Sequence, residues 1–154
     1  MGVYYVDSSA LVKRYAVEIG SSWVINLTDA QASNEVFTAL VTGAEIVAAI
    51  ARKARIGAIT LPDATAAIAA FKSHFKIEYL VVLLTVAITE RAMDLAEKHG
   101  LRGYDAVQLA SALTIQDDLD TNGVSLIAFV SADMNLNKAA QAEGLAVENP
   151  QDHP

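Results

Sequence analysis

Cysteine is absent from this chain of 154 residues, and that absence excludes three kinds of chemistry at once. Disulfide bonds, zinc–thiolate sites and thiol nucleophiles all require the cysteine sulfur. Histidine is also scarce, since the chain has three histidines beside 18 aspartates and glutamates. Any metal ion must therefore be held by oxygen or histidine ligands.

Long hydrophobic runs are lacking as well. The longest one extends from Tyr79 to Ile88 and is interrupted by Thr85, whereas a helix needs roughly 20 apolar residues to cross a bilayer. The chain passes from Met1 directly into an apolar segment, without the basic and apolar regions that mark a secretory signal. We therefore expect a protein that does not insert into membranes and that works in the cytoplasm.

Basic residues are too few to balance the acids, so that the formal net charge is -7. A negative protein repels nucleic acid at long range, which argues against broad, sequence-blind binding. Seven of the eleven basic residues nevertheless fall between positions 13 and 76. This half of the chain can form a local basic rim, in which Arg14 and Arg52 are the candidate contacts to a nucleic-acid backbone.

Hydrophobic residues make up 53% of the chain and occur along its whole length, as in ordered globular proteins. Segments with the pattern of strands alternate with segments that have the pattern of helices, which indicates a mainly parallel sheet with right-handed crossovers. We predict one α/β domain over residues 1–150, built as a three-layer α/β/α sandwich. Residues 151–154 are predicted to form a disordered tail.

The boundaries of these elements follow from apolar spacing and from cap and turn residues. The predicted strands span residues 3–6, 36–41, 79–84, 125–130 and 145–148. The predicted helices span residues 8–18, 23–28, 43–55, 61–76, 86–99, 103–119 and 133–143. The start of the third helix has the clearest signal, because Thr42 and Glu45 have the spacing of a capping box.

Four acidic residues fall where open parallel sheets bind ligands, beyond the carboxyl ends of the strands. Asp7 ends the first strand and Asp133 follows the fourth by three residues, so both should lie at the same edge of the sheet. Glu45 and Asp105 occur in the first turns of two helices. Taken singly, each of these acids could serve only as a helix cap or as a first-turn acid.

Taken together, the four carboxylates suggest a metal site. Converging anions without a counter-charge repel one another and raise one another's pKa values. A divalent cation resolves that conflict, and hard oxygen ligands suit Mg²⁺ or Mn²⁺. Such an ion can polarise a phosphoryl oxygen and generate a hydroxide nucleophile near neutral pH. We therefore predict an acidic Mg²⁺ site, with Mn²⁺ as the alternative ion.

Three short segments carry a resemblance to a known family: YVDSSALVKRY at residues 5–15, LRGYDA at 101–106 and FVSAD at 129–133. In order and spacing they resemble PIN-domain proteins, specifically the VapC-type toxins of type II toxin–antitoxin modules. The similarity spans residues 3–150. It implies a parallel α/β/α fold, an Mg²⁺-dependent endoribonuclease, a homodimer, and inhibition by a small VapB-like antitoxin.

The resemblance also implies roles for individual residues. The four acids match the family's catalytic and metal-binding quartet, and Ser9 and Ser131 match hydroxyl positions that orient the first and last acids. Glu35 is an alternative to Glu45 as the second acid, because the stretch between Asp29 and Glu45 is longer than expected for the family. The apolar and basic residues that follow Glu45 favour Glu45.

Two other classes of protein stay open. A non-catalytic module could keep the fold and bind a partner without cleaving anything, although such a module has no need of all four acids. A phosphotransfer or dehalogenase-like enzyme could use Asp7 as a nucleophile. That enzyme wants a second acid two residues later or a lysine after a late strand, and this chain has Ser9 and Asn149 at those places. The ribonuclease is therefore the favoured prediction.

Overall fold

The structure is a computed structural model that describes residues 1–126 and 128–154. Its strands are β1 (Val3–Val6), β2 (Glu35–Ala39), β3 (Leu80–Val82), β4 (Ala128–Val130) and β5 (Val147–Glu148). Its α-helices are α1 (Ser8–Leu11), α2 (Ser21–Leu27), α3 (Thr42–Arg55), α4 (Leu61–Ile77), α5 (Val86–His99), α6 (Gly103–Thr121) and α7 (Met134–Ala142). Among the residues so described, no helix has the length and apolar character needed to cross a membrane.

The strands form one parallel sheet in the order β3-β2-β1-β4-β5. Strand β1 lies at its centre, where Tyr4 pairs with Val36 of β2 and Val6 pairs with Val130 of β4. From β1 the chain passes to β2 and β3 on one side, and then crosses to β4 and β5 on the other side. The switch point, at which parallel sheets open a crevice for ligands, therefore lies between β1 and β4.

Two apolar cores cover the two faces of the sheet. Successive side chains of a strand point to opposite faces, and accordingly Tyr5 belongs to one core and Val6 to the other. On the first face Tyr5 stacks on Phe129 with a centroid distance of 5.6 Å and packs under α5, α6 and α7. On the second face the apolar residues of α1, α3 and α4 cover the sheet. The predicted three-layer α/β/α architecture is confirmed.

The first helix differs from its prediction. The apolar spacing predicted a helix through residue 18, but α1 ends at Leu11 and continues only as a 3₁₀ turn over Val12–Arg14. The chain folds back there because Lys13 is buried and needs a counter-charge, which Glu18 supplies at 2.9 Å. Glu18 also pairs with Lys53 of α3 at 2.7 Å. Glu18 is 29% exposed, so these ion pairs are partly buried, and they lie where the sequence predicted further helix.

The capping box predicted at Thr42 is wrong. Helix α3 begins at Thr42 itself, and no side chain caps its first turn. The Thr42 hydroxyl is buried instead, where it lies 2.9 Å from Thr38 Oγ1 and accepts a hydrogen bond from Gln108 Nε2 at 2.9 Å. The Glu45 carboxylate therefore does not bind a backbone N–H at the start of α3, and it has other partners.

The last two predicted strands are shorter than expected. Strand β4 begins at Ala128, whereas the predicted strand begins at Ser125. Ile127, which belongs to the predicted strand, lies outside the described residues. Strand β5 comprises only Val147–Glu148. Both strands are paired at their carboxyl ends, where Phe129 lies opposite Val147. Ala128, the first residue of β4, pairs with Tyr4 of β1, and the Ala146 carbonyl just before β5 accepts the Phe129 N–H at 2.8 Å.

Residues 151–154 were expected to form a disordered tail, whereas the structure gives them a defined position. A 3₁₀ turn forms over Pro150–Asp152, and His153 stacks on Trp23 of α2 with a centroid distance of 4.6 Å. Gly20 lies so close to this turn that a Cβ atom at position 20 would clash with its backbone. Contacts with α2 thus hold this segment together with a local cap, in which Asn149 Oδ1 accepts the Gln151 N–H at 3.0 Å.

Candidate functional site

Asp7 lies directly after β1, at the centre of the carboxyl edge of the sheet. Its backbone N–H donates to the Val130 carbonyl at 3.0 Å, which places residues 7 and 131 side by side. The side chain is only 2% exposed. It caps α1 by accepting from the Ala10 N–H at 3.0 Å. Asp7 therefore both caps α1 and lies at the edge of the sheet where parallel sheets bind ligands.

Two serine hydroxyls fix the carboxylate of Asp7. Ser9 Oγ lies 2.8 and 3.0 Å from its two oxygens, and Ser131 Oγ donates to Oδ2 at 3.0 Å. The same hydroxyls accept backbone N–H groups of the following loop, from Ala132 at 2.9 Å and from Asp133 at 3.1 Å. Ser9 and Ser131 thus hold Asp7 and position the loop that carries Asp133.

The charge of Asp7 is poorly stabilised despite these bonds. Burial raises the pKa of its carboxyl group to about 7, although the hydrogen bonds from Ser9, Ala10 and Ser131 act in the opposite direction. The nearby carboxylate of Glu45 raises that pKa further. A buried carboxylate of this kind gains from a cation beside it.

Glu45 projects from the first turn of α3 towards the same edge. Its carboxylate accepts a hydrogen bond from Ser8 Oγ at 3.0 Å and another from Gln108 Nε2 at 2.9 Å. Burial raises the pKa of Glu45, the two hydrogen bonds oppose that change, and the negative charge of Asp105 adds to it. Glu45 therefore lies within electrostatic reach of both Asp7 and Asp105.

Asp105 and Asp133 share one guanidinium. Arg102 Nε donates to Asp105 Oδ2 at 3.0 Å, and Arg102 Nη2 donates to Asp133 Oδ2 at 3.4 Å. The Arg102 side chain is 82% exposed. Asp133 also caps α7 through the Leu136 N–H at 2.9 Å. The Arg102 guanidinium therefore bridges two of the four carboxylates. We call the carboxylates of Asp7, Glu45, Asp105 and Asp133 together the acidic edge.

The acidic edge is not a finished metal cage. Across residues 1–126 and 128–154, no three acidic or histidine side chains are close enough to hold a metal ion jointly. The donor set nevertheless fits a hard divalent cation, because it consists of carboxylates and hydroxyls without nitrogen or sulfur ligands. The raised pKa values of Asp7 and Glu45 indicate the same preference for added positive charge.

Gln108 is a functional candidate that sequence reasoning missed. It is 1% exposed on α6 and connects three groups: its Oε1 accepts from the Tyr5 hydroxyl at 2.8 Å, and its Nε2 lies 2.9 Å from both Thr42 Oγ1 and Glu45 Oε1. A signal was present in the sequence, because Gln108 is a polar residue one turn after Asp105 among inward-facing apolar positions. Gln108 therefore orients Glu45.

Glu35, the alternative second acid, has a different location. It is the first residue of β2 and pairs with Val3, at the amino end of the sheet. Asp7 follows the carboxyl end of β1, so Glu35 and Asp7 lie at opposite edges. The structure thus brings Glu45, and not Glu35, towards Asp7.

The two candidate arginines also differ. Arg14 donates to Glu78 Oε2 and to the Tyr79 hydroxyl, both at 2.7 Å, and only 16% of its side chain is exposed. Its guanidinium therefore joins the chain after α1 to the end of α4, and the predicted contact of Arg14 with RNA stays a prediction. Arg52 is exposed on α3, two turns after Glu45 and on the same helix face.

Comparisons with known proteins agree with this geometry. Residues 4–141 match the family model described as PIN domain. The chain is 35% identical over 117 residues to the proteins named ribonuclease VapC45 and ribonuclease VapC49, from two strains of Mycobacterium tuberculosis. Each of these matches covers 76% of this chain and 79% of the relative.

Two solved structures are similar in fold. PAE2754 from Pyrobaculum aerophilum aligns with a TM-score of 0.64 at 18% identity, over 99% of this chain and 92% of that chain. VapBC2 from Rickettsia felis, solved bound to a DNA fragment from its promoter, aligns with a TM-score of 0.59 at 13% identity, over 96% and 98%. At these identities the structures show a shared fold and no more.

Proposed function

Because this chain belongs to the PIN-domain family, we propose that it is an endoribonuclease, the toxin of a type II toxin–antitoxin module. One observation carries the proposal. The acidic edge gathers Asp7, Glu45, Asp105 and Asp133 at the switch point of the sheet, in a chain 35% identical to two VapC ribonucleases. The proposed substrate is cellular RNA. The proposed location of the activity is the cytoplasm.

The four carboxylates are the residues that would hold a divalent cation, Mg²⁺ by preference and Mn²⁺ as its alternative. When bound, such a cation neutralises the carboxylates and polarises the scissile phosphate. The chain itself contributes rigid positioning. Ser9 and Ser131 fix Asp7, and Ser8 and Gln108 fix Glu45, so that two of the acids are oriented before the substrate arrives.

Hydrolysis needs the scissile phosphate to be held where water can attack it in line, and preorganised charge contributes most of the catalysis. The short, fully hydrogen-bonded loop from Ser131 to Asp133 supports that task, because it keeps the last acid at a fixed distance from Asp7. Arg102 lies at the same place with an exposed guanidinium, which suits it to contact a phosphate oxygen.

The experiment that tests this function is cleavage of a pool of structured RNAs by the purified protein. We expect cutting in Mg²⁺ or Mn²⁺, complete loss of cutting in excess EDTA, and recovery when Mg²⁺ is added above the chelator. Cutting that persists in EDTA would contradict the metal site. An intact RNA pool under all of these conditions would contradict the nuclease and favour a non-catalytic binding module.

Arg52 is proposed as a contact to the RNA backbone, since it is exposed on the same face of α3 as Glu45. Loss of one phosphate contact lowers the slope of log affinity against log salt by about one. We expect Arg52→Ala to show this change in RNA binding measured from low to high salt. Lys72→Ala, which removes an exposed basic residue from α4, a helix that carries none of the four acids, is the matched control and should keep the original slope.

We also propose a homodimer and a VapB-like antitoxin as partners. Exposed apolar side chains near the carboxyl ends of β2 and β3 support an interface: Leu40 is 46%, Leu83 65% and Leu84 46% exposed. A homodimer brings such a patch together with its own copy across a twofold axis. Light scattering of the isolated chain should give twice the mass of one chain, and a monomer at all concentrations would contradict the dimer.

A further inference from the structure

A cleft of about 630 Å³ opens beside the acidic edge, between α5 and α6. Its polar end is formed by Glu45, Arg102 and Asp105. Small apolar side chains form its floor, among which Ala92 and Ala106 are 5% and 1% exposed. The cleft therefore leads from charged groups to an apolar floor within one continuous surface.

Two large side chains stand exposed in the lining of this cleft. Tyr104 is 64% exposed at the start of α6, and Met93 is 65% exposed on α5. Exposure of a large apolar side chain costs hydration free energy that burial would recover. Neither residue contributes to the apolar cores of the protein. Both are therefore available to contact a ligand.

We propose that this cleft binds a nucleobase of the RNA, next to the phosphate that is cleaved. The base stacks on Tyr104 and packs against Met93, and its polar edge faces Arg102 and Asp105. This inference rests on the proposed ribonuclease function, which it deepens by assigning a specificity site. Tyr104 and Met93 are then residues that select and position the substrate.

Continuity with the acidic edge is the first argument. Asp105 belongs both to the acidic edge and to the cleft, and Glu45 does so too. A phosphate that reaches the acidic edge through the proposed cation carries a nucleoside on each side, and this brings one base close to the mouth of the cleft. A second cleft, between α3 and α4, has a volume of about 370 Å³, so the cleft beside the acidic edge is the larger of the two.

The chemistry of the lining is the second argument. A nucleobase has two flat apolar faces and a polar rim, so it matches an apolar floor that ends in a guanidinium and a carboxylate. Aromatic rings and guanidinium planes are the usual platforms for unstacked RNA bases. The apolar side chain of a protein partner would use the floor but would leave Arg102 and Asp105 without a polar partner from the ligand.

Methionine methyl groups offer a direct test that needs no catalysis. The chain has three methionines, Met1, Met93 and Met134, so protein labelled with ¹³C in the methionine methyl groups gives one reporter inside the cleft. We expect titration with adenosine, guanosine, cytidine or uridine to shift the Met93 methyl signal upfield to saturation for at least one nucleoside. Met93→Leu assigns that signal.

Met134 is the internal control, since it is 66% exposed and does not line this cleft. Its signal and that of Met1 should stay in place throughout the titration. An unmoved Met93 signal with all four nucleosides would overturn the proposal and leave a protein side chain as the occupant. Equal movement of all three signals would overturn it as well, because it would report non-specific binding.

A variant of Tyr104 extends the test to affinity and to RNA. Stacking of one base on one aromatic ring typically contributes about tenfold or more in binding. We therefore expect Tyr104→Ala to weaken nucleoside binding about tenfold and to raise KM for RNA more than it lowers kcat, while Tyr104→Phe retains both. Equal nucleoside affinity in the two variants would contradict the stacking role.

The two proposals can fail separately. Nucleoside binding to the cleft does not depend on a cation or on cleavage, so a protein that binds nucleosides but leaves RNA intact would contradict the ribonuclease alone. A protein that cleaves RNA with an unmoved Met93 signal would contradict the base site alone.

Discussion

Asp7→Asn will abolish RNA cleavage, with a loss on the order of 10³-fold or more in kcat, while the protein stays folded. Asparagine has the same shape, so its side-chain oxygen can still accept the Ala10 N–H and cap α1. Asparagine has no negative charge, and an NH₂ group, which donates hydrogen bonds, replaces one of the two carboxylate oxygens of Asp7. The acidic edge then loses the most buried of the carboxylates that we propose to hold the cation.

The stability of this variant separates loss of chemistry from loss of structure. Asp7 is 2% exposed and burial raises its pKa to about 7, so neutralising it removes an unfavourable buried charge. The melting temperature of Asp7→Asn should therefore equal or exceed that of the parent in the absence of divalent cations. Added Mg²⁺ should raise the melting temperature of the parent but not of the variant.

Asp29→Asn provides the matched control for the charge change. Asp29 also caps a helical turn, by accepting from the Gln31 N–H at 2.7 Å, but it is exposed and lies outside the acidic edge. This variant should cleave RNA as the parent does. Full activity in Asp7→Asn, or equal losses in the two variants, would show that the acidic edge has been assigned to the wrong residues.

Gln108→Ala will destabilise the protein by about 3 kcal/mol, since it leaves several buried polar groups unpaired. Gln108 is the shared partner of the Tyr5 hydroxyl, the Thr42 hydroxyl and the Glu45 carboxylate. The truncation also opens a cavity beside α6, which adds to the loss. Urea unfolding measures this change in the free energy of unfolding.

Activity distinguishes a purely structural role for Gln108 from an orienting one. At a temperature well below unfolding the variant is almost wholly folded, so a structural role alone would leave kcat unchanged. We expect kcat to fall between about 10- and 100-fold, as when a partner of a metal ligand is removed. Gln141→Ala, an exposed glutamine on α7, should change neither stability nor kcat.

The general arrangement of the acidic edge could be predicted from the sequence because it follows from chain direction. Parallel strands end at the same edge, so residues that follow two neighbouring strands must meet there. Asp7 and Asp133 satisfy this rule, and the hydrogen bonds of Ser131 to Asp7 and to the Asp133 N–H join them in the structure. Glu45 lies towards the same edge, where Ser8 binds its carboxylate, although the capping box predicted at the start of its helix is absent. Its role in the site stays a prediction.

The contacts that tune the site could not be predicted, because they join residues that are distant in sequence. Gln108 reaches Glu45 across 63 positions, and no local pattern marks which polar residue of a buried helix face will do so. Arg14 is an equally clear case. Its charge suggested a contact to nucleic acid, but Glu78 and Tyr79, more than 60 positions away, take up its guanidinium.

The order of the acids along the chain has a consequence for synthesis. Asp7 emerges early from the ribosome, but Ser131, which binds its carboxylate, follows 124 positions later, and Asp133 follows that. Strand β4 must also be inserted beside β1 before these residues can meet. A growing chain therefore carries no assembled site until Asp133 has been synthesised and β4 has joined the sheet, so a cell that makes this protein is not exposed to its activity before that point.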